Sequence, residues 1–515
     1  MNKKVLSIVL IILLLAGIIS WHLYEYINIY SSNPSKMWSR DLFVGEKNLN
    51  APSPLFYDNG KVYIVWGQKK GFFIYEIYPE LKKAKEVLIE NFNESSVKTL
   101  SFRQGILYWL ENDRIKSFSL SDDKEGNFNI KANDFKLTKN YIVLCDSEGI
   151  KLFNFSMKQI SFLPFNNISQ IDAVEQNHVL HISFLTDDRE ENKVYYVSYD
   201  LQKNQWLQPV EIDRLFQTST SRMDNVKVAS DKNGAYVFYL ITAKNGTASY
   251  YAYFPHEEIN IKKTSKIYLP SSEVISFDVV SVPEGVGAAF STSTKYQVFG
   301  PFTQSGVEIV YALFREGTIH YVTFITKEGK WASAPYLIST PEGLFVSWIE
   351  TGGFSNYLIK AASTNQEFAK RVGGIREVDV QNALSLLVYS LASGVFLGFI
   401  MSFITALPSY GWLLIVMFLE PKNFKSESPK SFYIALILYS IAKYLFYPPR
   451  SIKAVATVSF PYNLMIIPVV TVILAFVFTK MYFKGKLPSS FAAFTFLWVI
   501  DSLITNVFYS PFMIK

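Results

Sequence analysis

One cysteine, Cys145, occurs in 515 residues, so neither an intrachain disulfide nor a cysteine-based metal site can form. Histidine is almost as scarce, at five residues. His178 and His181 are three apart in a stretch that reads as a strand; they therefore face opposite sides and cannot share a metal. Catalytic signatures are missing as well. There is no G-x-S-x-G, no H-E-x-x-H and no G-x-x-x-x-G-K-[ST]. Ser121-DDKEGNF has loosely calcium-like spacing but no acid at the twelfth position, and reads as a solvated turn. Charged residues make up only 18% of the chain and the net charge is +6, with lysines gathered beside apolar runs rather than along one face. That distribution favours membrane orientation over nucleic-acid binding. No cofactor is implied.

What is abundant is apolar and aromatic. Hydrophobic residues reach 49%, with 32 Tyr and 42 Phe, and mean hydropathy is +0.14. Lys3-Lys4 precede an apolar run from Val5 to Ile19, followed by Trp21, Tyr24, Tyr26 and Tyr30. A basic start before such a run is shared by signal peptides and signal anchors. Without an A-x-A-like site, the run reads as an uncleaved anchor (residues 1–30) with its aromatics in the interfacial belt; cleavage after Ser20 is the alternative.

The middle of the chain, residues 37–365, is organised around Gly343–Ser363, GLFVSWIETGGFSNYLIKAAS. Alternating apolar residues on either side of Gly352-Gly353 predict a half-buried hairpin. Weaker copies begin at Gly60, Gly105, Asn140, Asn177, Gly234 and Gly285, at spacings of 35 to 58 residues. Second halves follow as FFIYEI at 72–77, VYYVSY at 194–199 and SYYAYF at 249–254. A four-stranded propeller blade takes about 40–50 residues, so the period predicts an all-β propeller of seven blades, with six or eight as neighbouring counts. A pair of β-sandwiches would show similar alternation. Gly317-TIHYVTF is either the outer half of a blade or the start of an eighth. Trp38–Val44 is expected to complete the blade holding Gly343–Ser363, so that both propeller ends leave from one place.

Two turns are alike. Tyr199–Val210 and Phe324–Tyr336 each place a Trp (206, 331) seven residues after an aromatic, with a Pro beyond. With the Gly-x-hydrophobic repeats, these make residues 57–363 resemble the sialidase-type (BNR) β-propeller superfamily. The resemblance implies Asp-box turns, but Thr326–Trp331 lacks the Asp. It also implies an acidic-sugar site built from three arginines, a Tyr–Glu pair and an Asp. The family's F/Y-R-I-P would have to match Phe102-Arg103-Gln104-Gly105, which loses Ile and Pro, and Arg222 and Arg315 have no supporting context. No catalytic residue is carried over.

A charged neck, residues 366–382 with Gly373-Gly374, leads into a helical membrane domain at 383–515. Its four spanning helices are expected at Leu384–Leu407, Ser431–Tyr447, Leu464–Phe483 and Phe491–Ser510. Trp412–Leu419 is a re-entrant piece or a kinked continuation. Lys422, Lys425 and Lys430, then Lys480, Lys484 and Lys486, cluster in two loops. With Lys3 and Lys4 they predict the amino terminus inside and the propeller outside; Arg450 and Lys453 run against the rule. Ser390, Gly394, Gly398, Ser402 and Ala406 form a small-residue ladder, either packing between helices or a homo-oligomer seam. Lys443 and Asp501 are ionisable residues within spans and are expected to pair, with outward snorkelling as the alternative for Lys443. The function this implies is a membrane-tethered extracytoplasmic module binding protein or glycan on its propeller loops. A divergent glycoside hydrolase and a sensor-linked transporter are the rivals.

Overall fold

The computed structural model describes residues 3–48, 51–68, 70–89, 92–188, 190–256, 264–269, 273–299, 302–327, 330–353, 356–419, 430–446, 466–484 and 489–510. Two compact units divide the chain: one comprises Asn33–Lys295 and Ser305–Gly373, the other the remainder.

The first unit is a seven-bladed β-propeller, each blade an antiparallel meander. After the short β1 (Leu42–Lys47), blade 1 holds β2 (Leu55–Asp58), β3 (Lys61–Gln68), β4 (Gly71–Tyr78) and β5 (Lys82–Leu88). Blade 2 holds β6 (Val97–Arg103), β7 (Ile106–Glu111), β8 (Arg114–Ser119) and β9 (Lys124–Lys131). Blade 3 holds β10 (Asp134–Leu137), β11 (Ile142–Cys145), β12 (Gly149–Phe153) and β13 (Gln159–Pro164). Blade 4 has β14 (Ile168–Gln176), β15 (Val179–Asp187), β16 (Glu191–Asp200), β17 (Gln205–Trp206) and β18 (Val210–Phe216). Blade 5 has β19 (Arg222–Ser230), β20 (Gly234–Ala243), β21 (Gly246–Pro255) and β22 (Thr264–Lys266). Blade 6 has β23 (Val274–Val282), β24 (Gly285–Phe299), β25 (Phe302–Arg315) and β26 (Thr318–Phe324). Blade 7 has β27 (Ala332–Thr340), β28 (Gly343–Gly353) and β29 (Asn356–Ser363), with β1 as its outer strand.

Every one of the seven sequence repeats is the second strand of a blade or the turn before it. Second strands are buried on both faces between neighbouring blades, which is why their apolar character is the clearest in the chain. Seven apolar clusters among the described residues each join two adjacent blades. Gly317–Phe324 resolves as β26, the outer strand of blade 6. Trp66 and Trp348 each occupy the sixth position of a second strand and are buried.

The closing strand begins later than the sequence suggested. The ladder runs from Leu42↔Ala361 to Lys47↔Tyr357. Trp38 is instead drawn into the core between blades 6 and 7, its ring 5.6 Å from that of Tyr311. Between them Ser39 pins the seam: its N–H donates to Ser363 O at 2.9 Å and its Oγ accepts from Ser363 N at 3.0 Å. The two turns that looked alike are not equivalent. The first lies between the third and outer strands of blade 4, and Trp206 stacks near Tyr199 and donates to Ser161 Oγ at 2.8 Å. The second lies between blades 6 and 7, with Trp331 half exposed.

The helices of the described residues are α1 (Lys3–Ser31), α2 (Gln366–Val372), α3 (Glu377–Leu419), α4 (Lys430–Phe446), α5 (Ile467–Tyr482) and α6 (Ser490–Tyr509), α2 lying in the stretch read as neck. Asn365 caps α2 by accepting from Phe368 N, and Phe368 and Val372 are buried in the cluster joining blades 7 and 1. Within the stretch read as neck, this apolar pair thus enters the propeller core, while Gly373 and Gly374 follow the helix.

In the helical unit, α3 continues through Pro408 for 43 residues, so the re-entrant reading of Trp412–Leu419 is replaced by a continuous helix. Pro408 removes one backbone donor, but its neighbours hold the turn: Ser409 Oγ donates to Ala435 O at 2.7 Å and Tyr410 packs on Phe494. By length and composition α1, α3 and α6 can cross a membrane. Against four expected carboxy-terminal spans, α4 and α5 reach only 17 and 16 described residues, short of the ~20 that spanning takes. Lys422, Lys425, Lys486, Arg450 and Lys453 lie outside the described residues.

Candidate functional site

Each blade's first strand lines the axis, and there the sequence interrupts apolar strands with single charges. Lys136, Asp172, Lys227 and Asp278 come from blades 3, 4, 5 and 6, and Tyr336 from blade 7. Neighbours on each strand (Phe135, Ile171, Val226, Phe277) are buried between blades, which aims the charged residue the other way. Lys136 pairs with Asp172 at 2.7 Å and Lys227 with Asp278 at 3.2 Å. Each carboxylate also accepts a backbone N–H from the following blade: Val228 N to Asp172 Oδ2, and Leu337 N to Asp278 Oδ2, both at 2.9 Å. Asp134 does the same for Ile171 N at 3.1 Å and takes Thr99 Oγ1 at 2.6 Å. Charged hydrogen bonds of this kind contribute about 1.5–3 kcal/mol each, so the ring of acids fixes blade to blade.

The electrostatics follow from that pairing. Burial alone pushes the Asp172 carboxyl up, but Lys136 and Lys227 outweigh it and hold it below the usual range. Burial opposes charge on Lys136 and Lys227 too, yet Asp172 and Asp278 hold both ammonium groups above the ordinary lysine value. Asp134, with no cation bonded to it, is pushed up by burial. These residues line a cavity of about 570 Å³ with walls from the starts of inner strands and from Trp66, Gly67 and Phe72 of the β3–β4 hairpin. It therefore lies at the face where second and third strands turn.

No arginine lines this cavity among the described residues. Arg103 stacks 3.7 Å over the Phe155 ring, Arg222 sits 3.6 Å from Asp224, and Arg315 pairs with Glu284 at 3.3 Å. Arg103, Arg222 and Arg315 are thus each engaged with a neighbour, and none of them lines the axial cavity.

His178 occupies a turn with positive φ, and His181 is buried in β15. His181 Nδ1 meets Tyr196 OH at 2.7 Å, and its ring centre is 5.4 Å from that of His256. Burial, then the charge of His256, lowers its pKa from 6.5 to about 3. As pH falls the unfolded chain takes up this proton first, so the contribution is intact above pH 6.5 and is lost on the way toward 3. His181→Gln is expected to remove up to about 1.4 kcal/mol per pH unit from the slope of stability over that interval. Urea titrations at pH 7, 6, 5 and 4 measure it; an unchanged slope would mean another group sets the acid limit.

A second device is repeated in blades 2 and 7. Trp109 Nε1 donates to Glu111 at 3.3 Å and Trp348 Nε1 to Glu350 at 3.1 Å. The residue facing each Trp across the next ladder is a lysine, Lys116 or Lys360. Lys116 reaches Glu111 at 2.8 Å; Lys360 reaches Glu350 at 2.9 Å and Asp41, just before β1, at 2.7 Å. Among the described residues no group of acids, His and Cys is arranged to hold a metal.

In the helical unit Lys443 of α4 and Asp501 of α6 meet. Lys443 Nζ donates to Asp501 Oδ2 at 2.7 Å and Oδ1 at 2.8 Å, to Thr471 Oγ1 at 2.7 Å and to Thr505 Oγ1 at 2.8 Å. Tyr439 OH donates to Asp501 Oδ2 at 2.5 Å. Their side chains are 1% and 0% exposed, which leaves no room for outward snorkelling. The ladder residues Ser390, Gly394, Gly398, Ser402 and Ala406 are all buried in this unit. A Cβ on Gly394 would fall 2.3 Å from Ser510 O, and one on Gly398 2.6 Å from Asn506 Oδ1. Ser402 donates to Asn506 Oδ1 at 3.3 Å and accepts Trp498 Nε1 on its carbonyl at 3.1 Å, while Ser390 Oγ accepts from Tyr26 OH at 3.2 Å. The close approach that the ladder permits is used between α3 and α6 of one chain.

Sequence reasoning missed the axial ring, although a signal existed. Phe135-Lys136-Leu137, Ile171-Asp172-Ala173, Val226-Lys227-Val228 and Phe277-Asp278-Val279 are apolar–charged–apolar triplets shortly before four successive repeats, alternating in sign.

Solved structures similar to this chain include propellers, and the likeness concerns the fold alone. The N-terminal domain of Nup159 aligns at a TM-score of 0.38 and 10% identity, covering 64% of this chain and 97% of that one. The Neurospora crassa Pan2 WD40 domain aligns at 0.40 and 10%, covering 64% and 97%. The extracellular domain of the putative one component system BT4673 from B. thetaiotaomicron aligns at 0.39 and 13%, covering 63% and 40%. No family model and no curated protein matches the sequence.

Proposed function

We propose that this protein is a membrane-tethered binding module: an extracytoplasmic propeller that presents its loops to a protein or glycan, held by apolar helices at both chain ends. The observation that carries this reading is the β1–β29 closure. It sends both chain ends out from blade 7, and each end leads into a helix, α1 or α3, long and apolar enough to cross a membrane. At 1.5 Å per residue, α1 extends for about 43 Å, against a hydrocarbon core of about 30 Å. Its buried face supports retention rather than cleavage. Ile11, Leu14, Leu15 and Ile18 pack on the helical core, Ser7 Oγ donates to Phe478 O at 3.2 Å, and His22 Nε2 lies 3.0 Å from Val507 O. The amino terminus, Lys430, Lys480 and Lys484 are inside on this reading and the propeller outside. Binding is favoured over glycoside hydrolysis by the engagement of Arg103, Arg222 and Arg315 away from the axial cavity and by the mutual pairing of the axial acids and lysines.

The test compares the two propeller faces. A photoreactive residue at Asn245, in the β20–β21 turn, is expected to give a discrete, competable adduct in intact cells. One at Glu316, in the β25–β26 turn of the opposite face, is expected to give none. Equal labelling from both positions, or no adduct from Asn245, would contradict a loop surface dedicated to binding on that face.

A further inference from the structure

The axial cavity has a chemistry of its own, independent of what the loops bind. Every oxygen of the two carboxylates in its charged ring already accepts a hydrogen bond from the protein. Asp172 accepts Lys136 on Oδ1 and Val228 N on Oδ2, and Asp278 accepts Lys227 on Oδ1 and Leu337 N on Oδ2. The ammonium groups are not filled. Each Nζ has three donors, and each meets one carboxylate, while the lysine side chains remain 30% and 22% exposed toward the 570 Å³ cavity. The other two lysines that line it are engaged elsewhere: Lys47 Nζ on Ala51 O, Pro52 O and Ser53 Oγ, and Lys98 on Asp113. Asp134 likewise accepts from Thr99, Phe135 N and Ile171 N, and Asp224, the fourth acid of the lining, accepts from Gln170 Nε2 and Asn225 N and lies 3.6 Å from Arg222. What the ring offers to an incoming group is therefore hydrogen-bond donors carried by two cations, flanked by the Tyr336 phenol. Lys136 and Lys227 repel each other, and an anion placed beside both relieves that repulsion. A volume of this size suits a small molecule rather than a single ion.

We propose that the propeller axis is an oxyanion site, in which a carboxylate or phosphate group of a small ligand is bound by Lys136 and Lys227. The carboxylates beside the lysines fix each Nζ through an ion pair and keep it charged at neutral pH, so the donors are preorganised and charge-assisted.

The experiment uses the full chain in detergent, with inorganic phosphate and acetate as separate probes at constant ionic strength balanced by chloride. Thermal midpoint is followed against probe concentration. The expected result is a saturable rise with at least one probe; saturation by phosphate alone assigns phosphate chemistry, and saturation by acetate assigns carboxylate chemistry. Lys136→Gln with Asp172→Asn removes one ammonium but keeps an amide pair in its place, and is expected to weaken the response at least tenfold. Lys227→Gln with Asp278→Asn gives the same reading from the other half of the ring, should the first variant fold poorly. A response that rises linearly without saturation, no response to either probe, or saturable binding unchanged in the folded variants would overturn the proposal.

Discussion

Lys443→Met is expected to destabilise the helical unit by about 3–5 kcal/mol, the range for breaking a buried ion pair from one side. The loss is large because Asp501 is fully buried and this ammonium meets both of its carboxylate oxygens. Tyr439 OH remains on Asp501, whereas Thr471 and Thr505 lose a donor. Lys443→Met combined with Asp501→Leu is expected to cost clearly less than the two single changes together, since it removes the stranded charge. Unfolding in mixed micelles measures all three. Additive costs would show that the pair contributes nothing as a pair.

Lys360→Met is the corresponding change in the propeller, again with about 3–5 kcal/mol expected. Lys360 bridges Glu350, which is 1% exposed, and Asp41, which lies just ahead of the closing strand. Removing it takes from a buried carboxylate its nearer cation, leaving Lys330 at 4.0 Å and Trp348 Nε1, and loosens the seam at one stroke. Adding Glu350→Gln is expected to recover much of the loss, because the amide keeps an acceptor for Trp348 Nε1 without the charge. Tryptophan fluorescence during thermal unfolding reads both variants. If Lys360→Met melts with the parent, the closing blade is held by its ladder and by Ser39 alone.

How much of this could be read from the sequence depends on which strand is considered. Second strands such as Leu344–Ile349 are buried on both sides, so their composition announces them, and all seven were found. The closing strand was placed four residues early because Trp38 is as apolar as a strand residue, although its side chain fills a core rather than a ladder position. The turn containing Trp331 was matched to the one containing Trp206 on local spacing, which cannot distinguish a turn within a blade from a link between blades. Pro408 argued for a break, but the cost of one lost donor is met by packing on both sides of it, which no local signal reports. Lys443 and Asp501 stood out because charge in an apolar span demands a partner. The axial lysines and aspartates did not, because isolated charges in half-buried strands are ordinary until the ring is closed. In the same way Trp109-Leu110-Glu111 and Trp348-Ile349-Glu350 gain meaning only with the lysine that register brings opposite each tryptophan.

On the proposed function, the propeller is held outside by helices that cross the membrane. Cysteine-accessibility labelling tests it most directly. Cys145 is buried, and burial pushes its thiol pKa up, so a Cys145→Ser background is silent without a change at the surface. On that background, Asn245→Cys is predicted to react with a membrane-impermeant maleimide in intact cells, and Asn423→Cys only after the cells are opened. Labelling of Asn423→Cys but not Asn245→Cys in intact cells would contradict the account.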